Sequence, residues 1–210
     1  MPRSAKNFAN SARFLTRKGR SIVRRVDDDA LRRALREHAY LEGDFVLRSG
    51  RRSRYYLDKY RFETRPEILA ALGERIAGAV SEHEPDAVRL AGQELGAVAL
   101  ATAGSLASGL PFVIVRKAAK EYGTSNRLEG AYDEGDLVCL VEDVVTSGGA
   151  LLEAVEALRA AGLVVRTAVC VVDREEGGAE ALDALGVRLC SIFGASEVLE
   201  AVKTPAKPHG

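Results

Sequence analysis

The second half of the chain constrains the fold most, because short apolar runs alternate there with segments of helical periodicity. Two of these segments, residues 97–108 and 150–161, are predicted helices. The apolar runs are residues 87–91, 112–115, 137–141, 164–172 and 188–193. This alternation predicts an α/β fold, in which a mostly parallel sheet carries helices on both faces. Ligands bind such sheets where the carboxyl ends of the strands meet, so the loops there form the candidate site.

The residues before this alternation predict a smaller N-terminal unit. Asp27 and the two aspartates after it suit the start of a helix, which we expect to end at Gly43. Residues 45–58 read FVLRSGRRSRYYLD, an alternation around a Ser-Gly turn that predicts a small hairpin. Pro66 suits the first turn of a second helix.

Composition limits the classes of protein to which the chain can belong. Its 210 residues are enough for one sizeable domain with its own core. Its 30 basic and 30 acidic residues balance, so the net charge does not indicate a nucleic-acid partner. No apolar run approaches the roughly 20 residues that span a bilayer, and the N-terminus has no apolar leader segment. We therefore expect a cytoplasmic protein with no membrane partner.

The first 26 residues differ in composition from the rest of the chain. They contain eight basic residues and no acidic residue. A flexible, solvated arm is the simplest interpretation. Contact with nucleic acid or an anionic surface, and an Arg-rich import peptide, are the alternatives. The predicted organisation is an arm at residues 1–26, a domain at 27–195 and a C-terminal tail at 196–210.

The candidate site centres on residues 137–149, which read LVCLVEDVVTSGG. Glu142 and Asp143 come where a buried strand should leave its sheet, and an acid pair suits the hydroxyls of a sugar. The small residues from Thr146 to Gly149 precede a helix, and their backbone N–H groups and the helix dipole favour a phosphate. Neither GxxxxGKS/T nor GxGxxG occurs, which argues against a P-loop site or a dinucleotide site. A sugar phosphate is the ligand that these residues predict.

Two further loops at the same edge of the sheet carry cationic groups. Residues 116–123 read RKAAKEYG, a stretch that could be a basic lid over a pyrophosphate or an ordinary charged loop. Arg174, in the sequence DREEGG, could bind a carboxylate through its guanidinium fork or form a surface ion pair.

In combination, these pieces resemble the orotate phosphoribosyltransferase family over about residues 31–193. The sequence VEDVVTSGG resembles the phosphoribosyl-pyrophosphate (PRPP) motif of type I phosphoribosyltransferases. The sequences FVLRSGRRSRYYLD, VRKAAKEYG and DREEGG resemble the hood, the catalytic loop and the orotate-contacting segment of orotate enzymes. The resemblance implies the type I phosphoribosyltransferase fold, a mostly parallel central sheet flanked by helices with a small N-terminal hood, mainly residues 27–60.

The family's residue roles carry over to matching positions of this chain. The resemblance implies that Glu142, Asp143 and the lid residue Lys120 are catalytic and that residues 92–96 form the pyrophosphate loop. It implies orotate binding by Tyr56, Leu57, Thr146 and Arg174. It implies PRPP binding by Arg48, Arg116, Lys117, Lys120, Tyr122, Glu142, Asp143, Val144, Val145, Thr146, Ser147, Gly148, Gly149 and Ala150.

The same resemblance implies a cofactor and a partner. Mg²⁺ is expected to be held mainly through PRPP, with no direct protein ligand, and the lid is expected to reach the neighbouring subunit of a homodimer. The chain departs from the family pattern at Arg48, where Lys is usual, at Tyr122, where His is frequent, and at Glu94, an acid in the pyrophosphate loop.

The function implied is transfer of ribose 5-phosphate from PRPP to orotate, which gives orotidine 5′-phosphate and pyrophosphate in pyrimidine (UMP) biosynthesis. One alternative is a type I transferase for another nucleobase, such as a purine. Another is a PRPP-sensing regulator that binds nucleic acid through residues 1–26. Arg174 and the hood argue against the first, because a carboxylated ring needs a cationic partner, and the complete lid motif argues against the second.

Overall fold

A computed structural model describes the chain at residues 26–46, 50, 52–117 and 127–201. Most of the N-terminal arm and of the predicted lid lies outside these residues. The helices and strands are, in chain order, α1 (Asp28–Ala39), β1 (Tyr40–Val46), β2 (Arg52–Leu57), α2 (Lys59–Glu63), α3 (Pro66–His83), β3 (Arg89–Gln93), α4 (Gly96–Ser108), β4 (Phe112–Val115), β5 (Leu128–Glu129), β6 (Leu137–Val145), α5 (Gly149–Ala160), β7 (Val164–Asp173), α6 (Gly178–Asp183), β8 (Arg188–Gly194) and α7 (Ala195–Glu200).

Strand β6 lies inside a six-stranded sheet formed by the described residues. The strand order is β5-β4-β3-β6-β7-β8. All neighbouring pairs are parallel except β4 and the two-residue strand β5. This arrangement confirms the predicted α/β fold with a mostly parallel sheet.

The two faces of the sheet belong to two apolar cores. Alternate residues of β6 point to opposite faces, so Cys139 and Val141 join one core while Val138 and Leu140 join the other. Helices α3 and α4 cover the first face, and α5 covers the second. Because both faces of β6 are buried, its sequence is a continuous apolar run and not an alternating one.

The N-terminal hood consists of α1, the antiparallel β1–β2 hairpin and the short α2. Asp27 caps α1 as expected, since its Oδ1 accepts a hydrogen bond from the N–H of Ala30 at 2.7 Å. The prediction that Gly43 ends this helix is wrong. The helix ends at Ala39, because Tyr40 is already extended and pairs with Leu57 of β2. Gly43 lies instead at an irregularity in the hairpin register, between Glu42 and Phe45.

The C-terminal segment differs from the predicted tail at its start. Residues 195–200 form α7, in which Ala195 and Val198 are buried. Glu197 of this helix accepts a hydrogen bond from Arg32 of α1 at 2.9 Å. The two ends of the described chain therefore pack against each other. Among the described residues, no helix combines the length and the apolar character needed to cross a membrane.

Candidate active site

Strand β6 carries Glu142 and Asp143 to the carboxyl edge of the sheet, where the sequence places the site. The strand continues to Val145, so both acids lie within it and not after it. Both residues are buried, with 7% and 1% of their surfaces exposed. Oδ1 of Asp143 accepts a hydrogen bond from the N–H of Val144 at 2.5 Å. This carboxylate is thus fixed in place before any ligand binds.

The second oxygen of Asp143 pairs with a lysine that sequence reasoning missed. Nζ of Lys59, the first residue of α2, lies 2.6 Å from Oδ2 of Asp143. Burial opposes the charge on Lys59, but the Asp143 carboxylate outweighs burial and raises the pKa of this lysine. The one signal in the sequence is the pair Asp58-Lys59, two charged residues directly after the inward-facing Leu57.

The two neighbouring acids differ in their electrostatic state. Burial first, and then the charge of Asp143, raise the pKa of Glu142 well above its usual range. The two acids thus differ in their surroundings, because the described ion pair with Lys59 is made by Asp143 and not by Glu142. Burial and the same Asp143 charge raise the pKa of Glu63, on the last turn of α2, to about 8.

The N-terminus of α4 approaches the ion pair so closely that only glycine fits there. A Cβ atom at Gly96 would overlap Oδ2 of Asp143 and lie 2.6 Å from Nζ of Lys59. Helix α4 has no side-chain cap at this end. Its positive dipole end thus adds to the positive potential around the Asp143 carboxylate.

The predicted phosphate loop, from Thr146 to Gly149, joins β6 to α5. Thr146, Ser147 and Gly149 are exposed, and Ala150, half-buried, lies in the first turn of the 12-residue helix. Gly148 has a φ of +81° and is the N-cap of α5. This geometry leaves the helix start open to an anion, as the sequence predicts. Val144 and Val145 are strand residues, and the side chain of Val145 belongs to the core.

Arg174 lies beside this loop and is buried, with 8% of its surface exposed. Its backbone N–H donates to the carbonyl of Val145 at 2.8 Å. A Cβ at Gly178, four residues later, would overlap Val145 and the carbonyl of Thr146. The segment that carries Arg174 is therefore packed directly on the predicted phosphate loop, and Arg174 is not a surface residue.

The other predicted residues within the described ranges lie at the rim of this site. The Leu57 side chain is buried and Tyr56 is 41% exposed, so the hood can offer its backbone between them. Glu94, one of the departures from the family pattern, contacts both residues at the start of the lid. Its Oε1 accepts a hydrogen bond from the N–H of Lys117 at 2.7 Å, and its Oε2 lies 3.6 Å from Nε of Arg116. Arg48, Lys120 and Tyr122 lie outside the described residues.

Within residues 26–46, 50, 52–117 and 127–201, no three His, Cys, Asp or Glu side chains form a group that could bind a metal ion. Two carboxyl groups of β6, those of Glu142 and Asp143, lie in the site itself.

Comparisons with known proteins agree with this geometry. The model of the phosphoribosyl transferase domain family matches residues 63–198. Orotate phosphoribosyltransferase of Methanocella arvoryzae is 51% identical over 157 residues, which cover 75% of this chain and 88% of that protein. The crystal structure of the Aeropyrum pernix enzyme of the same name has a TM-score of 0.74 and 32% identity, and covers 84% of this chain and 99% of that one.

The crystal structure of a third relative contains a bound ligand. The Mycobacterium tuberculosis orotate phosphoribosyltransferase in complex with PRPP has a TM-score of 0.68 and 32% identity over 81% of this chain and 97% of that one. Sequence, fold and site thus agree, and the chain belongs to the orotate phosphoribosyltransferase family.

Proposed function

We propose that this protein transfers ribose 5-phosphate from PRPP to orotate, yielding orotidine 5′-phosphate and pyrophosphate in UMP biosynthesis. The observation that carries the proposal is the hydrogen bond from the Arg174 N–H to the Val145 carbonyl at 2.8 Å. It places a buried guanidinium, suited to a carboxylate, beside a loop suited to a phosphate. The relatives named above support the same reaction.

The proposed chemistry needs charge stabilisation and no protein nucleophile. The bond from the anomeric carbon to pyrophosphate breaks as the bond to the orotate ring nitrogen forms, and that nitrogen gives up its proton to solvent. Positive charge develops on the sugar in the transition state. We assign the 5′-phosphate to the loop from Thr146 to Ala150 and the ribose hydroxyls to Asp143 and Glu142. We expect the lid to exclude water when PRPP is bound. Without water, the attraction between two unit charges 4 Å apart rises from about 1 to about 4 kcal/mol.

We also propose that Mg²⁺ takes part, held mainly by PRPP. Mg²⁺ keeps several waters and is commonly bound by one or two carboxylates together with substrate phosphates. An ion held mainly by PRPP fits the residues present, since the Asp143 carboxylate already pairs with Lys59 and burial raises the pKa of Glu142 well above its usual range. The ion would supply charge neutralisation on the departing pyrophosphate.

A homodimer in the cytoplasm completes the proposal. The resemblance to the family supports a lid shared between subunits, and Glu94 is placed to hold the start of that lid at Lys117. The cytoplasmic location stays a prediction from the sequence.

The decisive experiment follows the loss of orotate absorbance with PRPP and Mg²⁺ present, and compares orotate with uracil, adenine and hypoxanthine. We expect turnover with orotate alone among these four.

In Arg174→Ala, kcat/KM for orotate should fall at least about a hundredfold, because charge-assisted bidentate contacts are lost. The matched control is Arg188→Ala, which removes an exposed arginine from β8. Absence of orotate turnover by the pure protein would overturn the proposal. Turnover of adenine or hypoxanthine would show instead that the protein is a type I transferase for a purine base.

A further inference from the structure

Arg174 stands at one end of a stack of four side chains that runs through the hood. The Arg174 guanidinium carbon lies 4.8 Å from the centre of the Tyr55 ring. The rings of Tyr55 and Tyr40 stack with centroids 5.8 Å apart and planes 21° apart. At the far end, the guanidinium carbon of Arg36 lies 4.1 Å from the centre of the Tyr40 ring. Two cations thus enclose two aromatic rings.

The outer end of the stack is fixed to the body of the protein. Nη1 of Arg36 donates to the carbonyl of Leu199 in α7 at 2.9 Å. Tyr40 is held at the start of β1, where it pairs with Leu57. Tyr55 therefore has a supported ring behind it and faces Arg174 from a defined position.

The inner end is only partly fixed by hydrogen bonds. One guanidinium nitrogen of Arg174, Nη2, lies 3.1 Å from Oε1 of Glu176. The buried Nε of Arg174 has no hydrogen-bond partner among the described residues. An unpartnered buried donor is costly, so it marks the edge at which a ligand acceptor belongs. An aromatic ring beside the guanidinium carbon attracts the cation without using any of its N–H groups.

We propose that Tyr55 is a positioning residue for orotate: its ring fixes the position of the Arg174 guanidinium so that the unpartnered Nε–H meets the orotate carboxylate. Tyr40 and Arg36 support this ring from behind. This inference rests on the proposed function, since it assigns the Arg174 ligand to the carboxylate of orotate. On this proposal the hood helps to select a base that carries a carboxylate, in addition to covering the bound base.

The test compares Tyr55→Leu and Tyr55→Phe in steady-state kinetics with orotate and PRPP varied separately. Tyr55→Leu keeps an apolar side chain but removes the π face, and we expect the KM for orotate to rise about tenfold. The KM for PRPP should change less than twofold, since Tyr55 faces Arg174 and not the phosphate loop. Tyr55→Phe keeps the ring and should restore the KM for orotate to within about twofold of the wild type.

Two further variants separate positioning from mere packing. Tyr40→Leu removes the supporting ring, and we expect a smaller rise of about two- to threefold in the KM for orotate; it also serves if Tyr55→Leu does not fold. Phenylalanines with one, two and three ring fluorines at position 55 keep the shape but weaken the negative face of the ring. The KM for orotate should increase stepwise along that series.

The outcomes distinguish this inference from the proposed function. Wild-type protein that does not consume orotate would overturn the proposed function. Wild-type turnover combined with an unchanged KM for orotate in Tyr55→Leu would overturn the inference alone. Equal rises in both KM values, or no trend along the fluorinated series, would show that Tyr55 only packs.

Discussion

Nζ of Lys59 lies 2.6 Å from Oδ2 of Asp143, and this ion pair joins the hood to the central strand β6. The Asp143 side chain is 2% exposed and that of Lys59 is 31% exposed. Lys59 follows Leu57, the predicted orotate-reading position, by two residues. The pair therefore connects the segment assigned to the base with the carboxylate assigned to the ribose.

Replacement of this lysine in Lys59→Met should lower kcat/KM for PRPP by tenfold or more. Removing one partner of a fully buried ion pair costs about 3–5 kcal/mol. Because Lys59 is partly exposed, we expect the free energy of unfolding to fall by about 1–2 kcal/mol. Steady-state kinetics and urea unfolding measure the two effects.

Two variants control this experiment. Lys59→Arg keeps the cation and should recover part of the lost activity. Arg61→Met removes an exposed cation from the same short helix and should leave both kcat/KM and unfolding unchanged. A Lys59→Met protein with wild-type kcat/KM would show that the ion pair has no part in the reaction.

Replacement of Gly96, which lies beside the Lys59–Asp143 ion pair, by alanine should abolish most of the activity. In Gly96→Ala the new Cβ would overlap Oδ2 of Asp143, so the carboxylate and Lys59 must move apart. Misplacement of a catalytic group by about 1 Å can cost about a hundredfold in rate. We therefore expect kcat/KM for PRPP to fall by about that factor, measured by orotate loss under limiting PRPP.

Gly78→Ala is the matched control for this change. Gly78 lies inside α3, and a Cβ there would meet nothing within 4 Å. Alanine is a better helix former than glycine by about 0.5–1 kcal/mol. The control should therefore be slightly more stable than the wild type and equally active, whereas an active Gly96→Ala protein would contradict the assigned geometry.

The long elements of the fold could be predicted because their signal is periodic within one segment. Strand β6 and helix α5 have clear apolar patterns, and both appear where the sequence places them. The two-residue strand β5 and the five-residue helix α2 are too short to show a period. The sequence does not predict the helix end at Ala39, because the pairing of Tyr40 with Leu57 in the folded protein decides it. Gly43 is the stronger local signal for a helix end.

In the site, too, the residues that are adjacent in sequence could be predicted, and those brought together from distant parts of the chain could not. Glu142, Asp143 and the phosphate loop are adjacent in sequence, so their motif is readable without a structure. Lys59 and Tyr55 act through contacts with Asp143 and Arg174, which are far away along the chain. Those contacts depend on how the hood docks against the sheet, which no local pattern encodes.

The buried carboxyl of Glu63 should make stability depend on pH. Its pKa is about 8 in the folded protein and about 4.3 in an unfolded chain. Between these values the folded state holds a proton that the unfolded state has lost, so the free energy of unfolding falls as pH rises. Glu63→Gln does not titrate and should gain about 1–3 kcal/mol relative to the wild type between pH 5 and 8.5.

Urea unfolding at pH 5, 7 and 8.5 measures this difference. The control, Glu74→Gln, changes an exposed glutamate on α3 and should show no such trend. A difference between Glu63→Gln and the wild type that stays constant with pH would show that Glu63 is ionised in the folded protein.

The predicted lid residue Lys120, which lies outside the described residues, should act after PRPP has bound. A cation that closes over the pyrophosphate stabilises the charge that develops as the leaving group departs. We expect Lys120→Ala to lower kcat well beyond tenfold while the Kd for PRPP changes little. Single-turnover kinetics and calorimetric titration with PRPP measure the two quantities, and near-normal turnover would remove the lid assignment.

A mixing experiment tests whether that lid serves the neighbouring subunit. Lys120→Ala has a damaged lid and an intact body, whereas Asp143→Asn has the reverse, so each homodimer should be almost inactive. If lids cross between subunits, each hybrid dimer contains one site with an intact body and an intact lid. Random exchange makes half of the dimers hybrid, so activity should return to about a quarter of the wild-type level. If each lid closes over its own subunit, every site in the mixture retains one defect, and no activity returns however long the subunits exchange.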